Sequence, residues 1–149
     1  MAVEFDRSIE VETPAEQVWA RILELDCIPG WVPIIHDLEE IEHLARYEAV
    51  LQDSVGPFKL SADLDIFVTE HEHPSWIRIH VDGEDRHVGS RVRIEGTLTL
   101  EPTDAGSRLR FHGEYEVTGR VATLGASMIR TKATAMLDAF EVGAREEFG

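Results

Sequence analysis

Val3, Phe5, Arg7, Ile9 and Val11 alternate with Glu4, Asp6, Ser8 and Glu10, the period-2 pattern of a strand with one wet face. The alternation returns in four later segments divided by turn residues. Leu60, Ala62, Leu64, Ile66 and Val68 share one face; Ile77, Ile79 and Val81 share a second. Val92, Ile94, Gly96, Leu98 and Leu100 form a third set, and Leu109, Phe111, Gly113, Tyr115 and Val117 a fourth. Segments 35–43 and 46–55 read as weaker strands, because Leu38 and Ile41 break strict alternation in the manner of residues flanking a bulge.

Two stretches carry a helical period instead. Thr13-Pro14-Ala15-Glu16 has the form of a capping box with proline at the first helical position. It predicts a helix whose apolar stripe is Val18, Trp19, Ile22, Leu23 and Leu25, stopped by Pro29-Gly30 and Pro33. From Arg120 to Phe148, Val121, Leu124, Met128, Ile129, Ala133, Met136, Phe140 and Ala144 fall on or near one side. Arg130, Lys132, Asp138, Glu141 and Arg145 keep the other side in water. At ~1.5 Å per residue, one continuous helix here would be roughly 40 Å long, enough to cross a small sheet.

A strand, short helices, a run of hairpins and one long final helix predict an α+β chain. A curved antiparallel sheet of about six or seven strands wraps around the C-terminal helix, with short helices after the first strand. No repeat, linker or low-complexity tract divides residues 1–149, so one domain is expected. The turn Pro102-Thr103-Asp104-Ala105-Gly106 sets a register with Leu100 opposite Leu109, Leu98 opposite Phe111, Gly96 opposite Gly113 and Ile94 opposite Tyr115. The facing glycines either curl the sheet around the helix or leave room for a ligand.

Across the five clearest strands, 23 positions point inward by parity; among them only Arg7 carries a formal charge and only Tyr115 a phenol. Asp63, Asp65, His80, Glu95, His112, Glu114 and Glu116 fall on the solvent face, so the interior lacks the groups that general acid–base catalysis needs. Arg7 either pairs with a carboxylate or reaches the rim, or else it orients a polar headgroup. His71-Glu72-His73 is the nearest approach to a metal cluster, but it lies beside Pro74 in an expected turn and no third ligand follows at a zinc spacing. No phosphate loop, nucleophile elbow or Cys-x-x-Cys pair is present, and no metal or other cofactor is expected.

Composition narrows the partners. The 149 residues contain 29 acidic and 14 basic side chains, a net charge of −15 that repels nucleic acid. Twelve of the basic residues are Arg, a bias with two sources, a salty cytoplasm or a GC-rich genome. The N-terminal segment lacks the basic start and apolar run of a secretory signal, which points to the cytoplasm. The lone cysteine, Cys27, reads as a small buried hydrophobe.

The order of elements and three motifs resemble the START-like helix-grip (SRPBCC) superfamily of polyketide cyclases and plant allergen-type lipid binders. The nearer resemblance is to the CoxG family associated with aerobic carbon monoxide dehydrogenase. It spans almost the whole chain and rests on three stretches: Thr13-Pro14-Ala15-Glu16-Gln17-Val18-Trp19, Val55-Gly56-Pro57-Phe58, and Val117-Thr118-Gly119-Arg120-Val121-Ala122-Thr123-Leu124-Gly125. Cys27-Ile28-Pro29-Gly30 also matches a tetrapeptide of that family, placed a few residues early and followed by Trp31-Val32-Pro33. The resemblance implies a helix-grip fold and an accessory role near a molybdenum hydroxylase, through binding of an apolar molecule such as an isoprenoid quinone, or through maturation or membrane recruitment of the enzyme. It carries no catalytic residues to transfer.

The expected ligand-binding residues are Leu64, Ile66, Ile79, Ile94, Phe111, Tyr115, Met128, Ile129, Met136 and Phe140 as lining, with Trp31, Ile34, Ile35 and Phe58 near the mouth. The expected partner is a hydrophobic small molecule, with peripheral membrane contact and a homodimer as further options. A cyclase- or hydrolase-like enzyme would instead place Arg7, Tyr115 or Asp53 in a wet pocket. An interaction protein with a solid core would dock through its acidic surface, and Trp76 and Phe67 on the polar side of their strands would form a patch or mark a different register.

Overall fold

Alternation becomes seven strands in the computed structural model, which describes residues 2–149; Met1, at the start of the N-terminal segment, lies outside the described residues. The elements are β1 (Val3–Val11), α1 (Ala15–Leu23), α2 (Ile28–Trp31), β2 (Ile35–Glu42), β3 (Arg46–Val55), β4 (Phe58–Glu72), β5 (Trp76–Asp85), β6 (Ser90–Pro102), β7 (Ser107–Gly119), a 3-10 turn (Val121–Leu124) and α3 (Ala126–Phe148). One antiparallel sheet runs in the order β1-β7-β6-β5-β4-β3-β2. Consecutive strands from β2 to β7 are neighbours, while β1 closes on β7. The chain must therefore travel from one sheet edge to the other after β1, and α1 and α2 make that crossing.

The hairpin register follows from its turn. Thr103 and Gly106 bond to each other's backbone, Pro102 faces Ser107, and Leu100–Leu109, Leu98–Phe111, Gly96–Gly113 and Ile94–Tyr115 stand opposite one another. In β2 the pairing shifts between His36 and Glu39 and again between Glu40 and Glu42, around Leu38 and Ile41. At Gly113 a Cβ would sit 1.9 Å from the Glu95 carbonyl oxygen, so only glycine permits this approach of β6 and β7. The space over the glycine pair is not free: a Cβ on Gly96 would meet the Phe111 ring at 2.9 Å and Phe5 at 3.6 Å. Aromatic rings from neighbouring positions fill what the glycines omit.

Three sequence expectations are corrected. The capping box does not form: Pro14 is the N-cap of α1, and no side chain caps that end. Thr13 instead serves the far end of α3, where its amide and its hydroxyl both donate to the Phe148 carbonyl at 3.1 and 2.7 Å. Ser107 donates to the Thr13 carbonyl at 2.6 Å, which ties the helix terminus to β7. The final helix is not continuous, because Gly125 takes φ +98° and separates the 3-10 turn from the 23-residue α3. Pro29 does not simply terminate a helix, since it lies in the first turn of α2.

Residues of the sheet's inner face and of the helices bury together in two clusters. Ile9, Val18, Trp19, Trp31, Leu109, Ala144 and Phe148 belong to one; Ala49, Leu51, Leu60, Ala62, Val81 and Val121 belong to the other. Cys27 is buried in the first cluster, and burial pushes its thiol pKa up. The outer face is ionic. His80 lies 2.8 Å from Asp82 and also contacts Glu95, and these carboxylates raise its pKa. Phe67 and Trp76 are half-buried on this face beneath the guanidinium groups of Arg46 and Arg78, at 5.6 and 5.3 Å from the ring centroids. Phe67 stands opposite His80 in the β4–β5 ladder, so the outward placement reflects the true register.

Asp85 is the one acidic residue among the buried polar side chains of the described residues, at 3% exposure. Burial pushes its carboxyl pKa up, but amides of Ser61, Val88 and His87 donate to it at 2.7, 3.0 and 2.9 Å and outweigh burial, holding it below the usual carboxylate value. A pKa depressed by folding means stability present above the unfolded value near 4 and lost as pH falls through the folded one. Asp85→Asn is expected to lower stability by about 1–3 kcal/mol at pH 7. Urea titrations from pH 7 to 2 should show the gap between the two proteins narrowing below about pH 4.

Candidate functional site

Between the clusters the interior is not solid. One hollow of about 150 Å³ lies where Leu51, Asp53 and Val55 of β3, Ile94 of β6 and Phe111 and Tyr115 of β7 meet Ile129, Lys132, Ala133, Met136 and Leu137 of α3. A second, of about 170 Å³, lies beneath Ile22 and Leu23 of α1, against Tyr47, Ile66, Val68, Ile77, Ile79, Leu98, Phe111 and Phe140. Phe111 borders both. Its ring is the partition between them, and the ring of Phe140, 6.1 Å away, faces the second hollow.

The residues singled out from sequence divide accordingly. Ile94, Tyr115, Ile129 and Met136 line the first hollow, Ile66, Ile79 and Phe140 the second, and Phe111 both. Ile34, placed near the mouth from sequence, also lines the first hollow. The other five stand elsewhere. Trp31 is not at a mouth: it is buried edge-on to Phe140 and Phe148, each 5.6 Å away, in the gap left by Gly143, where a Cβ would come within 2.4 Å of its ring. Leu64 is buried over Gly83, whose Cβ would lie 2.6 Å from Leu64 Cδ2. Ile35 bridges the two clusters, and Phe58 packs on the second. Met128 is 38% exposed, near the Gly56 turn between β3 and β4.

Asp53 and Lys132 give the first hollow its charged edge. Lys132 Nζ lies 3.3 Å from Asp53, and their side chains are 40% and 21% exposed, so this edge reaches solvent. Asp53 also accepts from the Ser54 amide at 2.8 Å. Residue type alone puts Lys132 in water. Its position, three after Ile129 and four before Met136, is the signal that it shares their stripe. Asp53 continues the inward series Tyr47, Ala49, Leu51, a parity legible in β3.

Tyr115 projects into the interior from β7, and its hydroxyl oxygen is buried with no hydrogen-bond partner among the described residues. The other tyrosine is satisfied, since Tyr47 Oη accepts from the Leu44 amide at 2.9 Å. Arg7 lines neither hollow. It donates to Asp138 and Glu141 of α3 at 2.9 and 3.1 Å, joining β1 to the helix. Burial lowers the Arg7 pKa, but the two carboxylates outweigh it and raise it overall. His73 of the expected turn stacks edge-on against Trp19 at 5.2 Å, and no group of three His, Cys, Asp or Glu among the described residues is arranged to hold a metal. No helix among them is long and apolar enough to cross a membrane.

Comparison with known proteins places this geometry. The family model for CoxG, of carbon monoxide dehydrogenase, matches residues 8–147. A conserved protein from Geobacillus kaustophilus is 27% identical with a TM-score of 0.84, over 97% of this chain and 94% of that one. A START superfamily protein from Mycobacterium smegmatis is 13% identical with a TM-score of 0.72, over 99% and 96% of the two chains, which establishes a START-like fold. No curated protein matches the chain.

Removing the partition is expected to merge the hollows. Phe111→Ala should cost about 3–5 kcal/mol in urea unfolding. It should also bind hexylbenzene more tightly than the parent protein does, as measured by titration calorimetry, because the chain can then cross between the hollows.

Proposed function

The chain belongs to the CoxG family of carbon monoxide dehydrogenase, and on that footing we propose that it is a carrier for an apolar ligand, a lipid or isoprenoid quinone, serving a molybdenum hydroxylase in the cytoplasm. The observation that carries this reading is the pair of apolar hollows that share Phe111 as a wall. Removal of apolar surface from water at ~25 cal/mol per Å² supplies affinity: a ring burying about 150 Å² gains roughly 4 kcal/mol before the cost of immobilisation. A ring-sized head and the start of a chain match the hollows. The rest of a long isoprenoid would leave past Asp53, Lys132 and Met128, an exit suited to handing the guest between a membrane surface and a partner enzyme.

The Gly56-Pro57 turn and the Gly125 break support an opening at that exit. Leu124 and Met128 lie against Gly56, within 3.0 and 3.6 Å of where its Cβ would be, so a small movement of the turn or the break would widen the way in. Thioether flexibility at Met128 and Met136 suits guests of varied shape.

A cyclase- or hydrolase-like enzyme in the same cavity is the second reading. It is favoured by Asp53, Lys132 and Tyr115 sharing one hollow. Against it, Asp53 and Lys132 face each other in an ion pair, and the remaining lining is hydrocarbon apart from the Tyr115 phenol.

Native mass spectrometry of the protein purified from its own cells is expected to show one bound apolar molecule released by organic solvent. Repeated recovery of ligand-free protein would contradict the carrier reading. Turnover lost in Asp53→Asn with binding intact would favour the enzyme.

A further inference from the structure

The two halves of α3 are held very differently. In the second half, Asp138 and Glu141 meet Arg7 of β1, Glu147 meets Arg21 of α1, and the Phe148 carbonyl accepts from the Thr13 amide and hydroxyl. In the first half, from Ala126 to Leu137, the only hydrogen bond or ion pair to another element among the described residues joins Lys132 to Asp53 of β3, at 3.3 Å. That half begins at Gly125, which stands at φ +98° with open space where a Cβ would be, so the backbone there has room to turn. Asp53 and Lys132 both border the first hollow, and their side chains are 21% and 40% exposed. The pair thus stands between the hollow and water where β3 faces α3.

We infer that the ion pair of Asp53 with Lys132 is a latch that closes the first hollow and sets the rate at which an apolar guest enters and leaves it. For a guest to pass between β3 and α3, the two side chains must part and the first turns of the helix must lift. Gly125 lets that half move at one end, while the Arg7 and Thr13 contacts hold the other half in place. Parting is easy, because both groups already touch water and are rehydrated as they separate; a pair this exposed favours the closed arrangement by roughly two- to fivefold. A fully buried pair would resist opening far more. Closing is directed. The Ser54 amide fixes the Asp53 carboxylate on β3, and no acidic residue occurs between Glu116 and Asp138 to draw Lys132 away along its own stretch of chain. This inference rests on the carrier reading and adds to it the device that controls traffic through the hollow.

Stopped-flow mixing with N-phenyl-1-naphthylamine, a neutral probe that brightens in apolar surroundings, measures entry, and its displacement by excess hexylbenzene measures exit. Lys132→Met and Asp53→Asn are each expected to raise both rates roughly two- to fivefold over the parent. Raising sodium chloride from about 0.05 to about 1 M shortens the Debye length to ~3 Å and weakens the pair, so the ratio of variant to parent rates should fall toward one. Salt also makes the probe less soluble, but equally for every protein, and the ratio cancels this. Asp53→Lys combined with Lys132→Asp restores the pair in reverse and should return both rates toward the parent's. Unchanged rates in the single variants, a ratio indifferent to salt, or a double variant as fast as the single ones overturns the latch. If the probe enters all of these proteins at one rate, the carrier reading survives while this inference fails. If it binds none of them, both fail.

Discussion

Side-chain parity on a bent antiparallel sheet is the constraint on which the rest depends. A strand sends successive side chains to opposite faces, so a one-residue slip in any ladder would carry its apolar set into water and its carboxylates into the core. The turn at Thr103–Gly106 pins β6 to β7, and from there the ladders extend to β1 on one side and through β5 and β4 to β3 on the other, with one register shift between Val68 and Glu70 of β4. Gly113 lets β6 and β7 approach closely beneath α3, and the helix is held at its far end by Thr13 and along its flank by Arg7. Curvature and a helix too thin to fill it leave the hollows.

Charge follows the same division. Most of the 29 acidic side chains face outward, where Arg108 bridges Glu10 and Glu101, Arg110 grips Asp6, and Arg46 joins Glu48 to Asp65. Such exposed pairs contribute little stability each, and their effect is chiefly to order the outer face and offset part of its acidic charge. Asp53 and Lys132 are the departure, a charged pair on the rim of an apolar space. Tyr115 is a second departure, a donor inside it. Both lie on the same hollow, whereas the inward-facing Arg7 and the buried Asp85 are satisfied elsewhere, by carboxylates of α3 and by backbone amides.

Much of this is legible in the chain because period-2 alternation and turn residues are local. The strand faces, the Leu100–Leu109 register, the α+β architecture and the family all follow from signals within a few residues of one another. What escapes reading depends on residues distant in sequence. Thr13 has the local form of an N-cap yet meets Phe148 across 135 positions. Trp31 has a loop-like neighbourhood, but Gly143 opens a slot for it on α3. For Lys132, charge points to water, while its spacing from Ile129 and Met136 is the better guide. Leu64 belongs to the inner face by parity, and only the contact with Gly83 removes it from the cavity wall.

The functional reading requires that two apolar hollows flank the Phe111 ring. Crystals equilibrated under xenon pressure test it most directly, since xenon occupies apolar voids and scatters strongly. Two xenon sites are predicted, one beside Tyr115 and Met136 and one beneath Ile22 and Leu23. An interior without xenon density, or one occupied only by ordered water, would contradict the account.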